Sequence, residues 1–211
     1  MLVVGSAACV HEDLRRALKL RPFASLMLVN GACQVIEKAE HMLCGHEEKA
    51  EQFAAARRKK FPLTPIEIHA CCVMRKVEEY KATYPSVTRW WPHECGQAAG
   101  SAGKAVKMSR LMGFDEAVLV GCPMNGGGYV TGETDGIQQS MNCLRIGDDG
   151  DARGYPDNKT QGRTWLKVQE TRMIQGYRNH FAELAKGEFS SGVYSMSGFT
   201  REHVGEPPEE N

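Results

Sequence analysis

The sequence predicts a three-layer α/β protein built on a mostly parallel, doubly wound sheet. Three observations carry this expectation. Short apolar runs of strand length recur along the chain, amphipathic stretches of helical period separate them, and turn residues mark the joins. A length of 211 residues, 42% hydrophobic and 25% charged, suits one continuous core rather than two.

Taken in order, strands are expected at 1–5 (MLVVG), 25–30 (SLMLVN), 41–46 (HMLCGH), 66–72 (IEIHACC), 87–91 (VTRWW), 117–121 (AVLVG) and 191–195 (SGVYS). Helices are expected at 11–20, 47–60, 101–112 and 163–186, with shorter ones near 33–39 and 76–82. The first helix carries Glu12 and Asp13 in its opening turn, where the helix dipole favours acids. Ser101 caps the fourth, and Trp165, Leu166, Val168, Met173 and Phe181 suit the long one to packing across the sheet. Alternating strands and crossover helices make a Rossmann-like domain over 1–204. Residues 122–162 interrupt it as a Gly-rich insertion that starts at the carboxyl edge as a lid or projecting segment, and 205–211 read as a solvated tail.

Charge and cysteine usage narrow the class. Lys+Arg and Asp+Glu both total 26, so no overall field draws the chain to nucleic acid or an anionic membrane. The run Arg57-Arg58-Lys59-Lys60 reads as a solvated helix end. The N-terminus has no basic flank of a signal peptide, and no apolar run approaches the roughly 18–20 residues of a membrane span. A soluble, cytoplasmic protein is expected, with no nucleic-acid partner and with homo-oligomerisation left open. Eight cysteines at 9, 33, 44, 71, 72, 95, 122 and 143 lack any Cys-x-x-Cys pair and read as reduced thiols. A zinc site from Cys71, Cys72 and Cys95 with His69 or His93 matches no common ligand frame, and an Mg²⁺ site at Asp148, Asp149 and Asp151 competes with a plain solvated loop. The default is therefore no metal.

Candidate site residues sit where strands end. Gly5 and Ser6 join the first strand to the first helix, where small residues let backbone amides approach a phosphate, although a tight turn explains them equally. Asn30 ends the second strand, as a ligand-binding amide or an Asx turn. His46 closes the third, as an acid–base group or as the residue ahead of a favourable Glu47. The strongest is Ser101-Ala102-Gly103-Lys104, a helix start with an adjacent cation, though Ala105 stands where a Walker A loop needs Ser or Thr. Its amides are expected to share one concave site with Gly5, Ser6 and Asn30. Trp90-Trp91-Pro92-His93 offers indoles that cover a base or simply join the core.

The run from Ser101-Ala-Gly103 through Gly113-Phe-Asp-Glu-Ala-Val-Leu-Val-Gly-Cys-Pro123, with the Gly-rich segment and Tyr129 behind it, resembles the central segment of the glycosyltransferase family 42 sialyltransferases. It is also similar to the 6-hydroxymethylpterin diphosphokinase-like family and to phage-encoded proteins of this size. The resemblance covers about half the chain. It implies a nucleotide or nucleotide-sugar ligand held by Gly5, Ser6, Asn30, Ser101, Ala102, Gly103 and Lys104, with His46 or His93 supplying acid–base chemistry. The sialyltransferase pattern has Gly-Asn-Gly-Pro-Ser where this chain has Gly5-Ser-Ala-Ala-Cys9, Pro123 replaces its strand-terminal Asp, and in place of its catalytic histidine after the Gly-rich region this chain has His180, inside an expected helix. The expected function is a nucleotide- or nucleotide-sugar-dependent transferase, and the rival is a non-catalytic phage assembly or interaction protein that retains the fold.

Overall fold

Seven strands run in one direction through the computed structural model, which describes residues 1–92, 100–124 and 175–209. In chain order the elements are β1 (Leu2–Val4), α1 (Val10–Leu20), β2 (Leu26–Val29), a 3-10 turn at Asn30–Gln34, β3 (His41–Cys44), a 3-10 turn at Glu47–Lys49 and α2 (Ala50–Lys60). There follow β4 (Glu67–Cys72), a 3-10 turn at Met74–Lys76, α3 (Val77–Thr83), β5 (Arg89–Pro92), α4 (Gly100–Leu111) and β6 (Ala117–Val120). The chain ends with α5 over 175–186, β7 (Val193–Ser195) and α6 (Gly198–Val204).

The sheet order is β5-β4-β3-β2-β1-β6-β7 and every pairing is parallel. β1 lies inside the sheet between β2 and β6 and registers Leu2 against both Leu26 and Val118. Burial on both faces explains why β1, β2 and β6 are almost wholly apolar. Strand alternation then sorts the core into two layers. Leu2, Val4, Leu28, Met42 and Ile68 face Val10 and Ala17 of α1 and Phe53 of α2. Val3, Met27, Leu43 and Leu119 face Val106 and Met108 of α4 and Phe181 of α5. This is the three-layer, Rossmann-like α/β architecture that the sequence predicts.

All seven expected strands form, and so do the helices expected at 11–20, 47–60, 76–82 and 101–112, to within a few residues. The helix expected at 33–39 does not; its segment makes only the 3-10 turn Asn30–Gln34. Arg57 is the reason. Its guanidinium is buried and donates to the carbonyls of Cys33 at 3.2 Å, Ile36 at 2.9 Å and Glu37 at 2.6 Å, giving those oxygens partners outside a helix. Arg57 is thus not part of a solvated helix end, whereas Arg58, Lys59 and Lys60 are exposed. Of the helix expected at 163–186, only 175–186 lies within the described residues, as does only the start of the 122–162 insertion. The segment over 205–209 returns along β7: Ser195 N donates to Gly205 O at 2.8 Å, and Pro207 is buried. No helix among the described residues is long and apolar enough to cross a membrane.

Candidate ligand site at the carboxyl edge

Because every strand is parallel, the turns beginning at Gly5, Asn30, Gly45 and Gly121 all open on one edge. Two polar clusters form there. The first joins the ends of β2 and β3 to the start of α4. Asn30 takes a left-handed backbone at φ 50°, which Asn tolerates better than most residues. That geometry turns its buried side chain into a bridge, with Gly45 N donating to Oδ1 at 2.8 Å and Nδ2 donating to Ser101 Oγ at 3.0 Å. Lys104, one turn into α4, donates from Nζ to Gly45 O at 3.1 Å. Gly45 has no room for a side chain, since an added Cβ would stand 2.8 Å from Ser101 Cβ and closer still to its Oγ.

α4 begins without an acidic residue in its first turn and carries Lys104 instead. A cation near the positive end of a helix is electrostatically unfavourable until an anion or a carbonyl balances it. Tyr177, at the start of α5, borders this corner, its ring 3.9 Å from where a Cβ on Gly100 would stand. Nothing in the sequence distinguishes Tyr177 from any half-exposed helix tyrosine, which is why it was not anticipated.

The second cluster closes the gap between β1 and β6, the point where the sheet order reverses. Gly5 N donates to Val120 O at 2.8 Å and Ala7 N to Gly121 O at 3.1 Å. A Cβ on Gly5 would strike Gly121 O and stand 2.5 Å from Cys122 Sγ, so this glycine serves the close approach of the two turns. Asp13, buried in α1, accepts from Gly121 N at 2.9 Å, Ser197 Oγ at 2.5 Å and Cys9 Sγ at 3.4 Å. Ser6 is half-buried in the turn between them.

The structure therefore brings Asn30, Ser101 and Lys104 together and places Gly5 and Ser6 on the adjoining turn. Ser101 is the second residue of α4 rather than its cap, because the helix begins at Gly100, and its Oγ accepts from Asn30 instead; Ala102 is half-buried, and Gly103 is buried within α4. His46 follows Gly45 directly, with its side chain 55% exposed and Nδ1 3.4 Å from Glu48 Oε1. His93 lies outside the described residues. Cys71 and Cys72 are consecutive in β4, so their side chains leave opposite faces of the sheet, and that geometry denies them a shared metal. Cys9, Cys44, Cys72 and Cys122 form no disulfide. Burial pushes the Cys44 thiol up to about 12.

A different cluster of chemistry-bearing side chains stands at the opposite, amino edge. His41, Glu67 and His69 each offer one donor atom within 4.8 Å of the others. The spacing Glu67-x-His69 puts both on one face of β4, and His41 opens the neighbouring strand. The spacing was legible in the sequence, but the arrival of His41 beside it became legible only with the register of β3 against β4.

Fold and edge chemistry together define a Rossmann-like parallel α/β protein with a cationic polar cluster on its carboxyl edge. No known protein family, curated protein or solved structure matches the chain.

Proposed function

We propose that the protein binds a nucleotide or nucleotide-sugar at the carboxyl edge and transfers a group from it. In this reading Ser101 and Lys104 receive the phosphate, Asn30 and Gly45 shape the floor beneath it, and His46 is the acid–base group. The observation that supports it is the convergence of β2, β3 and α4 on Asn30, with the Lys104 ammonium part-buried at the same point. A phosphate would take the place of the Gly45 carbonyl as the partner of Lys104 and would also offset the helix dipole.

Calorimetry and thermal shift with CMP, CDP, UDP, ADP and GTP and their sugar conjugates test the reading. One class should raise the melting temperature in proportion to the logarithm of its concentration. Lys104→Ala should weaken that binding at least about tenfold, the usual scale of a charge-assisted hydrogen bond, while leaving the melt of the ligand-free protein nearly unchanged. Binding that survives Lys104→Ala and Ser101→Ala unchanged, or no binding by any member of the panel, overturns it. Gly103 is a poorer probe, because it is buried and a larger residue there would test packing first.

A second reading is a binding or interaction protein without turnover. It is favoured by Asn30, whose amide is engaged on both sides by Gly45 and Ser101 rather than turned out toward a ligand. Nucleotide-sugar consumption distinguishes the two: binding with no product under any acceptor supports the second.

A further inference from the structure

The amino-edge cluster converges like a coordination shell. His41 Nδ1 lies 3.1 Å from His69 Nε2 and 3.2 Å from Glu67 Oε2, and His69 Nε2 lies 3.4 Å from the same oxygen. Tetrahedral zinc with bonds of about 2.0–2.1 Å places its ligand atoms about 3.3 Å apart. The three donors thus form a triangle with the edges of one tetrahedral face. Arg89 Nε donates to the other carboxylate oxygen, Glu67 Oε1, at 2.6 Å, which orients the group so that Oε2 meets the two imidazoles. His69 is fully buried, whereas His41 and Glu67 are partly exposed and leave a route from solvent.

We propose that His41 Nδ1, Glu67 Oε2 and His69 Nε2 bind a divalent transition-metal ion of the zinc class, with water in the fourth position. The mixed nitrogen and oxygen donor set suits zinc or cobalt better than calcium or magnesium. Arg89, a cation next to the carboxylate, makes the site weaker than one with an unshared acid.

Trp91 gives the proposal a distinctive consequence. Its Nε1–H donates to His69 Nδ1 at 3.0 Å, so without metal the His69 proton resides on Nε2, facing Glu67 and His41. A metal on Nε2 moves that proton to Nδ1, where it meets the indole N–H, and two donors cannot share the contact. The indole must then turn away. Metal-free and metal-bound protein therefore hold opposite His69 tautomers, and Trp91 opposes the metal.

Cobalt absorbance and zinc-dependent tryptophan fluorescence on the full chain test this. One equivalent of Co²⁺ should bind with visible bands of a nitrogen and oxygen tetrahedral site and no thiolate charge-transfer band. His41→Ala and Glu67→Gln, both at the partly exposed side, should each weaken binding by about tenfold or more, with far-UV circular dichroism confirming that they fold. Trp91→Phe should tighten binding several-fold and remove most of the fluorescence change. A thiolate band, affinity indifferent to His41→Ala, weaker binding in Trp91→Phe, or no cobalt uptake at all overturns the proposal.

Discussion

Asn30 stands in a backbone conformation that side chains resist, and it is held there because its amide joins three elements at once. Asn30→Ala keeps the strain, loses the bridge and leaves the Gly45 amide without its partner. It should cost about 2–5 kcal/mol, the sum of a left-handed penalty of about 1–2 and an orphaned buried donor of about 1–3. Asn30→Gly loses only the bridge and should cost clearly less; urea unfolding measures both. Gly45 makes a companion case, since any side chain there meets Ser101. Gly45→Ala should cost about 1–3 kcal/mol as overpacking, and Ser101→Gly in the same chain should recover most of it, because the obstructing atoms then disappear. The Cys44 thiol, 1% exposed and raised to about 12, stays protonated near pH 8, so iodoacetamide should modify it only at the rate at which the protein unfolds. Asn30 was recognisable in the sequence from its place after a strand, but whether its amide would face a ligand or the protein was not. That choice depended on Gly45 and Ser101, which lie 15 and 71 residues away.

At the level of elements, strands were the most legible because a parallel sheet buried on both faces demands continuous apolar runs, as in Leu2–Val4 and Ala117–Val120. Helices were legible where an apolar stripe continued for three turns. They were not where a single distant side chain decided the outcome. Arg57 takes the carbonyls of Cys33, Ile36 and Glu37, and no local pattern around Cys33 foretells a guanidinium arriving from α2. The short α6, which starts at Gly198 with φ 63° and buries Thr200, was missed for a different reason: Phe199 and Val204 are its only large apolar residues, too few to set a helical period. Asp13 shows how such elements are tied together, since one buried carboxylate in α1 holds the turn after β6 and the serine ahead of α6. Asp13→Ala leaves the Gly121 amide unpartnered and the Ser197 hydroxyl with only the weak Cys9 Sγ contact at 3.6 Å, and should cost about 1–3 kcal/mol. Hydrogen exchange should rise first at 121–124 and 195–204, while amides of β2 and β3 remain protected; uniform loss of protection would mean that Asp13 supports the whole sheet rather than this corner.

For the molecule as a whole, sheet order raises a question that the sequence alone did not pose. The order β5-β4-β3-β2-β1-β6-β7 reverses between β1 and β6, and open α/β sheets most often bind ligands at such a reversal. In this protein that crevice is stitched by backbone hydrogen bonds from Gly5 and Ala7 to Val120 and Gly121, and by Asp13 on Gly121. A ligand entering there would have to break them. One strand over, at the ends of β2 and β3, the cationic start of α4 offers a charge and a hydroxyl whose present partners are single hydrogen bonds that a phosphate can replace. Ligand binding should therefore protect amides at 30–34, 45–49 and 100–105 in hydrogen exchange and leave those of 5–9 and 121–124 at their ligand-free rates. Protection centred on the second pair of segments would move the site to the reversal point and assign Gly5 and Ser6 the direct phosphate contact, with Lys104 reduced to a helix-end strut on Gly45.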